Sequence, residues 1–342
     1  MRPCGHEDRG RREWDLRPSE PALRGYVLCA LIVPDSRLDA VAEFAAEARR
    51  RWRRSELKSS HMKPGWVLEV ADFLAANQIS AVAFVTDNEV MTRNGVRDFR
   101  IRQAAAIARG RQRLIDANPH DARLPEIDEM LDRVAGAFSR EPMSDDDFIQ
   151  SEQIPELALE CVARACSRYR EPEWESDFEG FRFVFDAKQP DGLKAGERWI
   201  HENIERMIGS TKRMILELPG EWEQRPKHPF RRFDDPEGEH TMLKDVLGAR
   251  NWARSEDDDC VQLADVVAGT VRSAIELGNR SARWEAYEAL RMVLTDHDGY
   301  CLRVHRFRGA PDADLSRYMP LMRAWPREER LTRISASGAV LL

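Results

Sequence analysis

No stretch of this sequence approaches the ~20 consecutive apolar residues that a membrane-spanning helix needs. The N-terminus, Met1-Arg2-Pro3-Cys4-Gly5-His6, lacks the apolar core of a secretory signal, so none is expected. Cysteine is sparse and scattered: there are six, and only Cys161 and Cys166 lie near one another. No CxxC pair of the zinc-binding kind occurs, and the thiols read as reduced side chains of a cytoplasmic protein. Excess positive charge is also missing. The net charge is −7, which argues against a nucleic-acid coat protein. It does not argue against a nuclease whose local basic rim surrounds an acidic metal site. No internal repeat is visible.

What is present suits a soluble globular protein: 342 residues, of which 42% are hydrophobic and 33% charged, enough for one large domain or two small ones. Residues 1–24 are polar, irregular and rich in arginine, acidic residues and proline, and read as a disordered leader. The continuous apolar run Tyr26 to Val33 predicts a buried strand. Ser36 is expected to cap a helix from Leu38 to about Arg54, a second helix follows over Gly65 to Asn77, and Ile79 to Val85 is a second strand. Residues 96–170 carry helical patterns (Arg97 to Ala117, Glu126 to Phe138, Ile154 to Tyr169) and no strand signal, so they read as a helical insertion beside the sheet. Asp145 to Asp147 there read as a solvated charge run at a loop or helix start. Phe181 to Phe185 alternates as a strand and ends in Asp186, a position where open α/β sheets place ligands. It is followed by a helix over Gly196 to Leu218, a loop over Glu221 to Glu239, a short strand within Met242 to Trp252, a helix over Trp284 to Leu294 and an edge strand over Cys301 to Phe307. Residues 309–342 read as a tail.

The most informative stretch is Cys260 to Leu277. It predicts a helix, with Glu256 and Asp257 to Asp259 at its positive end and Gly278 as its stop. From Val261 to Val271 it is apolar or small on nearly every face, which implies burial. Asp265 lies inside that run, and a carboxylate there has to be neutralised, paired or bound to a cation. Its neighbours at helical spacing, Val261, Gln262, Ala268 and Gly269, are not cationic. The partner must come from elsewhere: a metal ion, a distant arginine or a backbone group.

Two further carboxylates stand in informative places. Glu56 follows the basic run Arg49 to Arg54, and Asp186 ends a strand. Carboxylates that converge from separate elements make a hard oxygen site suited to Mg²⁺ or Mn²⁺. Two such ions about 4 Å apart can activate water on one side of a phosphodiester and stabilise the leaving oxygen on the other.

The order of these motifs resembles a known family. An apolar strand, then Glu-Leu-Lys-Ser-Ser (Glu56 to Ser60), a strand ending in Asp186 and Val-Gln-Leu-Ala-Asp-Val-Val-Ala-Gly (Val261 to Gly269) is similar to the domain-of-unknown-function family 3800. The resemblance covers about residues 25–308. It implies an α/β fold: a ribonuclease-H-like mixed sheet flanked by helices, with the helical insertion at about 96–170. It further implies a metal-dependent nuclease or phosphodiesterase acting by a two-metal mechanism, with Glu56, Asp186 and Asp265 as catalytic metal ligands. Lys58 would contact a phosphate, Arg53 and Arg54 would bind substrate with the rest of the basic run and Lys63, and nucleic acid would be the partner. Gln262, one turn from Asp265, would hold it or a metal-bound water. Members of the family open with a strand carrying Asp-Glu-Ser-Gly, for which the nearest fragment here is Glu7-Asp8-Arg9-Gly10. Glu7, Asp8 or Asp87 would have to stand in for its aspartate. The alternative is a catalytically degenerate relative that binds nucleic acid or a protein partner.

Overall fold

The computed structural model describes residues 27–86, 93–117, 119–120, 124–139, 144–169, 172–178, 180–187, 192–193, 196–198, 200–201, 246, 249–295, 302–305 and 321. Its centre is the second apolar run. Strand β2 (Ser80–Thr86) is buried at every position, as a strand covered on both faces must be. Strand β1 (Val27–Ile32) pairs with it antiparallel, Val27 opposite Val85 and Ile32 opposite Ser80. Strand β5 (Arg303–His305) pairs parallel on the other side and ends the sheet.

One face of this mixed sheet is covered by four helices: α1 (Leu38–Trp52), α2 (Pro64–Ala76), α6 (Asp259–Leu277) and α7 (Trp284–Leu294). Val41, Leu74, Leu263 and Leu290 join Ala81, Ala83 and Val85 in one buried cluster. The other face is covered by α5 (Asp145–Arg168), whose Leu157 packs with Val82 and Phe84. Helices α3 (Arg93–Ala117) and α4 (Leu124–Ser139) pack on each other, joined by an ion pair between Arg111 and Asp128. The described chain is thus mainly helical with a small mixed sheet, an α/β arrangement.

Three sequence expectations change. First, β3 (Arg182–Asp186) is not a central strand of the same sheet. It pairs parallel with β4 (Ala249–Ala253), and these two form a separate sheet. Among the described residues no strand pairs with both β1 and β3. Second, Ser36 does not cap α1. Its N–H and hydroxyl both donate to Asp177, at 2.8 and 3.2 Å, and the residue before the helix, Arg37, makes no side-chain cap. Third, α5 begins at Asp145 rather than Ile154, because the Ser144 hydroxyl accepts the Asp147 N–H at 3.1 Å and acidic residues suit a first turn. Asp145 to Asp147 are therefore a helix start, with Asp145 paired to Arg100 at 3.0 Å. The helix expected at Gly196 to Leu218 is described only at residues 196–198 and 200–201. The loop at 221–239, the tail apart from Leu321, the leader and Asp87 lie outside the described residues.

Tyr169, just past α5, fixes how β1 and β2 meet. Its hydroxyl accepts the Ser80 N–H at 3.1 Å and points its own hydrogen at the carbonyls of Gln78 (2.7 Å) and Ile32 (3.2 Å). It thereby holds the turn into β2, where Gln78 adopts a left-handed backbone, φ 56°, that a non-glycine residue pays for. Tyr169→Phe leaves the fully buried Ser80 amide without its acceptor. The expected loss is about 1–3 kcal/mol in urea unfolding, and a change below about 0.5 kcal/mol would show that the hydroxyl is dispensable.

Candidate active site

The site is built from the segment after α1 and one face of α6. Arg53 ends α1 in a left-handed conformation, φ 55°, and after a bend at Ser55 and Glu56 the chain runs extended through Lys58 into a short 3-10 helix, Ser59–His61. Extended residues alternate sides. Leu57 is fully buried and Ser59 nearly so, while Glu56 is half-buried and Lys58 exposed. Glu56 and Lys58 therefore point the same way and form an ion pair of 2.9 Å. The inward pair, Leu57 and Ser59, present their amides to α6. The Leu57 N–H donates to Gln262 Oε1 at 2.8 Å and the Ser59 N–H to Asp265 Oδ2 at 2.8 Å. Residues two apart on an extended segment and three apart on a helix have similar spacings, roughly 6–7 and 5–6 Å. The Glu-Leu-Lys-Ser and Gln-Leu-Ala-Asp motifs are thus two halves of one contact.

Gly269 permits this approach. A Cβ there would overlap the Cβ and hydroxyl of Ser59. Arg283 secures the far side by donating to the carbonyls of Ser59 and Met62. Asp258 caps α6, accepting the Val261 N–H at 2.9 Å, as the acidic run ahead of the helix implied. Asp259 pairs with Arg49.

The structure corrects the expected environment of Asp265. Its neighbours Gln262, Leu263, Val266, Val267 and Gly269 are buried, but Asp265 itself is exposed. Of the partners considered for it, a backbone group is the one observed. It looks into a cavity of about 620 Å³ lined by β1, β3, α5 and α6. Asp186, also exposed, lines the same cavity. Among the described residues the wall also carries Asp35, Asp147, Asp177, Glu197 and Asp258, with Arg182 as its basic member.

Glu56 stands beside this cavity rather than on its wall. Burial pushes its pKa up, but hydrogen bonds from Ser255 and Lys58 and the Lys58 charge outweigh that, so the carboxyl is held below its usual range. Lys58 is held above its own range, first by its hydrogen bond and ion pair with Glu56 and then by the charges of Asp265 and Asp186. One ammonium thus feels all three of the singled-out carboxylates. Among the described residues, however, no three His, Cys, Asp or Glu side chains form a cluster that could hold a metal ion. The oxygen donors suit a hard divalent cation, but Asp186 and Asp265 face the cavity while Glu56 is turned to Lys58 and Ser255.

The basic run is largely occupied. Arg49 pairs with Asp259, Arg50 with Glu47 and Arg51 with Glu69, while Arg53 and Arg54 are exposed. Lys63 lies over the Trp66 ring, 5.1 Å from its centroid, and Trp66 stacks on Trp52. Glu7, Asp8 and Asp87 lie outside the described residues. Sequence reasoning missed Ser255, the donor to Glu56, and the acidic wall residues Asp147 and Glu197. The first is an unremarkable serine in a polar stretch, and the other two are brought to the cavity only by tertiary folding.

Comparison with protein-family models, curated proteins and solved structures finds no match.

Two outcomes test this geometry. Gly269→Ala forces Ser59 off α6 and should cost about 1–3 kcal/mol, with loss of protection at the Ser59 amide in hydrogen exchange. A variant with unchanged stability and exchange would contradict the close approach. The Glu56–Lys58 pair should also carry a defined pH signature. A lowered Glu56 pKa stabilises above the unfolded value of about 4.3 and is lost as pH falls through the folded value. A raised Lys58 pKa stabilises below about 10.4 and is lost as pH rises through the folded one. The stability difference between the parent and Glu56→Gln should therefore be level near neutrality and shrink at pH 3; a difference independent of pH would refute the pairing.

Proposed function

We propose that the protein is a metal-dependent nuclease or phosphodiesterase whose reaction centre is the acidic end of the cavity, between Asp186, Asp265 and Glu56. One observation carries this reading: Asp186 and Asp265, far apart along the chain, line the same cavity, and Glu56 is ion-paired with Lys58 beside it. Carboxylates gathered on one wall attract cations, and Mg²⁺ or Mn²⁺ suits their oxygen donors. A bound divalent cation would supply acidity to water and charge to a phosphate. Asp186 and Asp265 would hold it, and the Ser59 N–H keeps the Asp265 carboxylate in place. Lys58, exposed and flexible, would turn from Glu56 toward the substrate phosphate. Arg53 and Arg54, exposed at the end of α1, would steer the polyanion, with affinity falling as salt rises. The ribonuclease-H-like resemblance supports the same reading through the order of Glu56, Asp186 and Asp265.

The second reading, a catalytically degenerate protein that binds nucleic acid or a protein partner, is favoured by a specific contact. Glu56 is already paired with Lys58 and accepts a hydrogen bond from Ser255, and the described residues bring no third ligand to Asp186 and Asp265.

Incubation with single- and double-stranded DNA and RNA plus Mg²⁺ or Mn²⁺ separates the two. Hydrolysis is expected, and Asp265→Asn and Asp186→Asn should each lower it by about 100-fold or more while circular dichroism stays unchanged. Cleavage undiminished in both variants would overturn the assigned roles. Nucleic-acid binding without cleavage, and with no Mn²⁺ uptake by calorimetry, would favour the degenerate reading.

A further inference from the structure

The α3–α4 hairpin stands apart from the acidic cavity. Helix α3 carries seven arginines against two aspartates, in a chain whose net charge is −7. It packs on the body at its start, where Val96 and Phe99 are buried and the Phe99 ring meets Phe148 of α5. From Arg100 to Ala117 no described residue is buried. Most of the helix is therefore covered by α4 on one side and open on the other.

The arginines sort by what they face. Arg100 pairs with Asp145 at the base of the arm. Arg111 faces α4, where Asp128 and Asp132 share its guanidinium. At 3.6 residues per turn, Arg102, Arg109 and Arg113 fall within about 40° of one another, on the side opposite Arg111. All three are exposed, and none is ion-paired among the described residues. Of the aspartates nearest them, Asp98 lies one turn before Arg102, and Asp116 accepts from Gln112 at 2.9 Å. A solvated helix face ordinarily mixes the two signs at i,i+4. Here Arg109 and Arg113 set like charges at that spacing, which is unfavourable for the arm alone and becomes favourable beside an anionic surface.

A line of charge on a rigid rod selects its partner. The three arginines span about 16 Å of helix axis, over which each strand of duplex DNA presents roughly five phosphates. A helix about 10–12 Å across fits the ~12 Å major groove of B-form DNA, and the small Ala105 and Ala106 leave room beside the arginines. Other polyanions fit less well. Duplex RNA has a deep, narrow major groove that side chains cannot read. Single strands are held by aromatic stacking, and residues 100–117 contain no aromatic. A lipid surface needs a broad apolar face, whereas the exposed large apolar residue of α3 is Ile101 alone.

We propose that the outward face of α3 is a sequence-independent docking surface for double-stranded DNA, with Arg102, Arg109 and Arg113 on its phosphates. The proposal goes beyond the hydrolytic reading, because it concerns binding on the arm and not reaction at the cavity. The full-length protein is titrated in EDTA with a labelled DNA duplex of mixed sequence, and binding is followed by fluorescence anisotropy. Saturable binding is expected, micromolar or tighter at about 50 mM salt. Joint Arg102→Gln, Arg109→Gln and Arg113→Gln should weaken it at least about tenfold and make the slope of log affinity against log salt shallower by about 2.7, roughly 0.9 per lost phosphate contact. Lysine at the same three positions keeps the charge and should keep most of that slope. The three side chains are exposed, so both variants should melt with the parent. Parental affinity and salt slope in the glutamine variant, tighter binding of single-stranded DNA or duplex RNA, preferential capture by phosphatidylserine vesicles, or no DNA binding would overturn the proposal. Arginine-dependent duplex binding with no hydrolysis on adding Mg²⁺ or Mn²⁺ would support it while removing the hydrolytic reading, so the two fail separately.

Discussion

Two backbone amides set the geometry of this protein's acidic face. The N–H groups of Leu57 and Ser59 are taken by Gln262 and Asp265, and everything nearby follows from that. The extended segment cannot rotate once both amides are fixed, so Glu56 and Lys58 must face outward on one side. Leu57, fully buried, adds apolar anchoring of about 1.5–3 kcal/mol, and Gly269 supplies the missing volume that lets the segment lie so close. The carboxylate of Asp265 therefore does structural work by holding the Ser59 N–H. That also explains how an acidic residue is tolerated in an otherwise apolar helix: it turns to the cavity, and its one observed partner is a hydrogen-bond donor from the backbone.

The same helix divides two environments. Its inner face, through Leu263, Val266, Val267 and Val271, is part of the largest buried cluster. Its outer face, through Ala264, Asp265 and Ala268, is a cavity wall. The opposite wall is α5, so the cavity occupies the layer in which a sheet would continue. Acidic side chains collect along its described wall, and Lys58 answers part of their charge from the side.

Much of the local structure could be read from sequence, because burial and periodicity coincide. The apolar runs at 26–33 and 79–85 became β1 and β2 within a residue or two, and α1, α2, α6 and α7 follow their apolar spacing. Failures arose where a tertiary partner competed with a local rule. Ser36 has the chemistry of a cap, but Asp177 takes its donors. The helical pattern from Ile154 covers only the later part of α5, whose start is set by Ser144. Asp265 was legible as a residue needing a partner, but the helical pattern could not say that its own side of α6 borders a cavity. The split into two sheets was not legible either, since strand pairing depends on what lies between strands. Within the site, Glu56, Asp186 and Asp265 were recognised as a set. Their arrangement around Lys58, with Ser255 on Glu56, required the fold.

The clamp of α6 on the 57–59 segment is tested most directly by amide hydrogen exchange at Leu57 and Ser59. Leu57 lies outside the helices and strands, and Ser59 is the first residue of a short 3-10 helix (Ser59–His61) whose main-chain bonds do not use its N–H. If the side chains of Gln262 and Asp265 hold them, both amides exchange as slowly as the interior of α6, with protection that falls only on global unfolding. Exchange at the rate of an open loop would mean that the segment is not held against the helix, and the placement of Glu56 and Lys58 beside Asp186 would lose its physical basis.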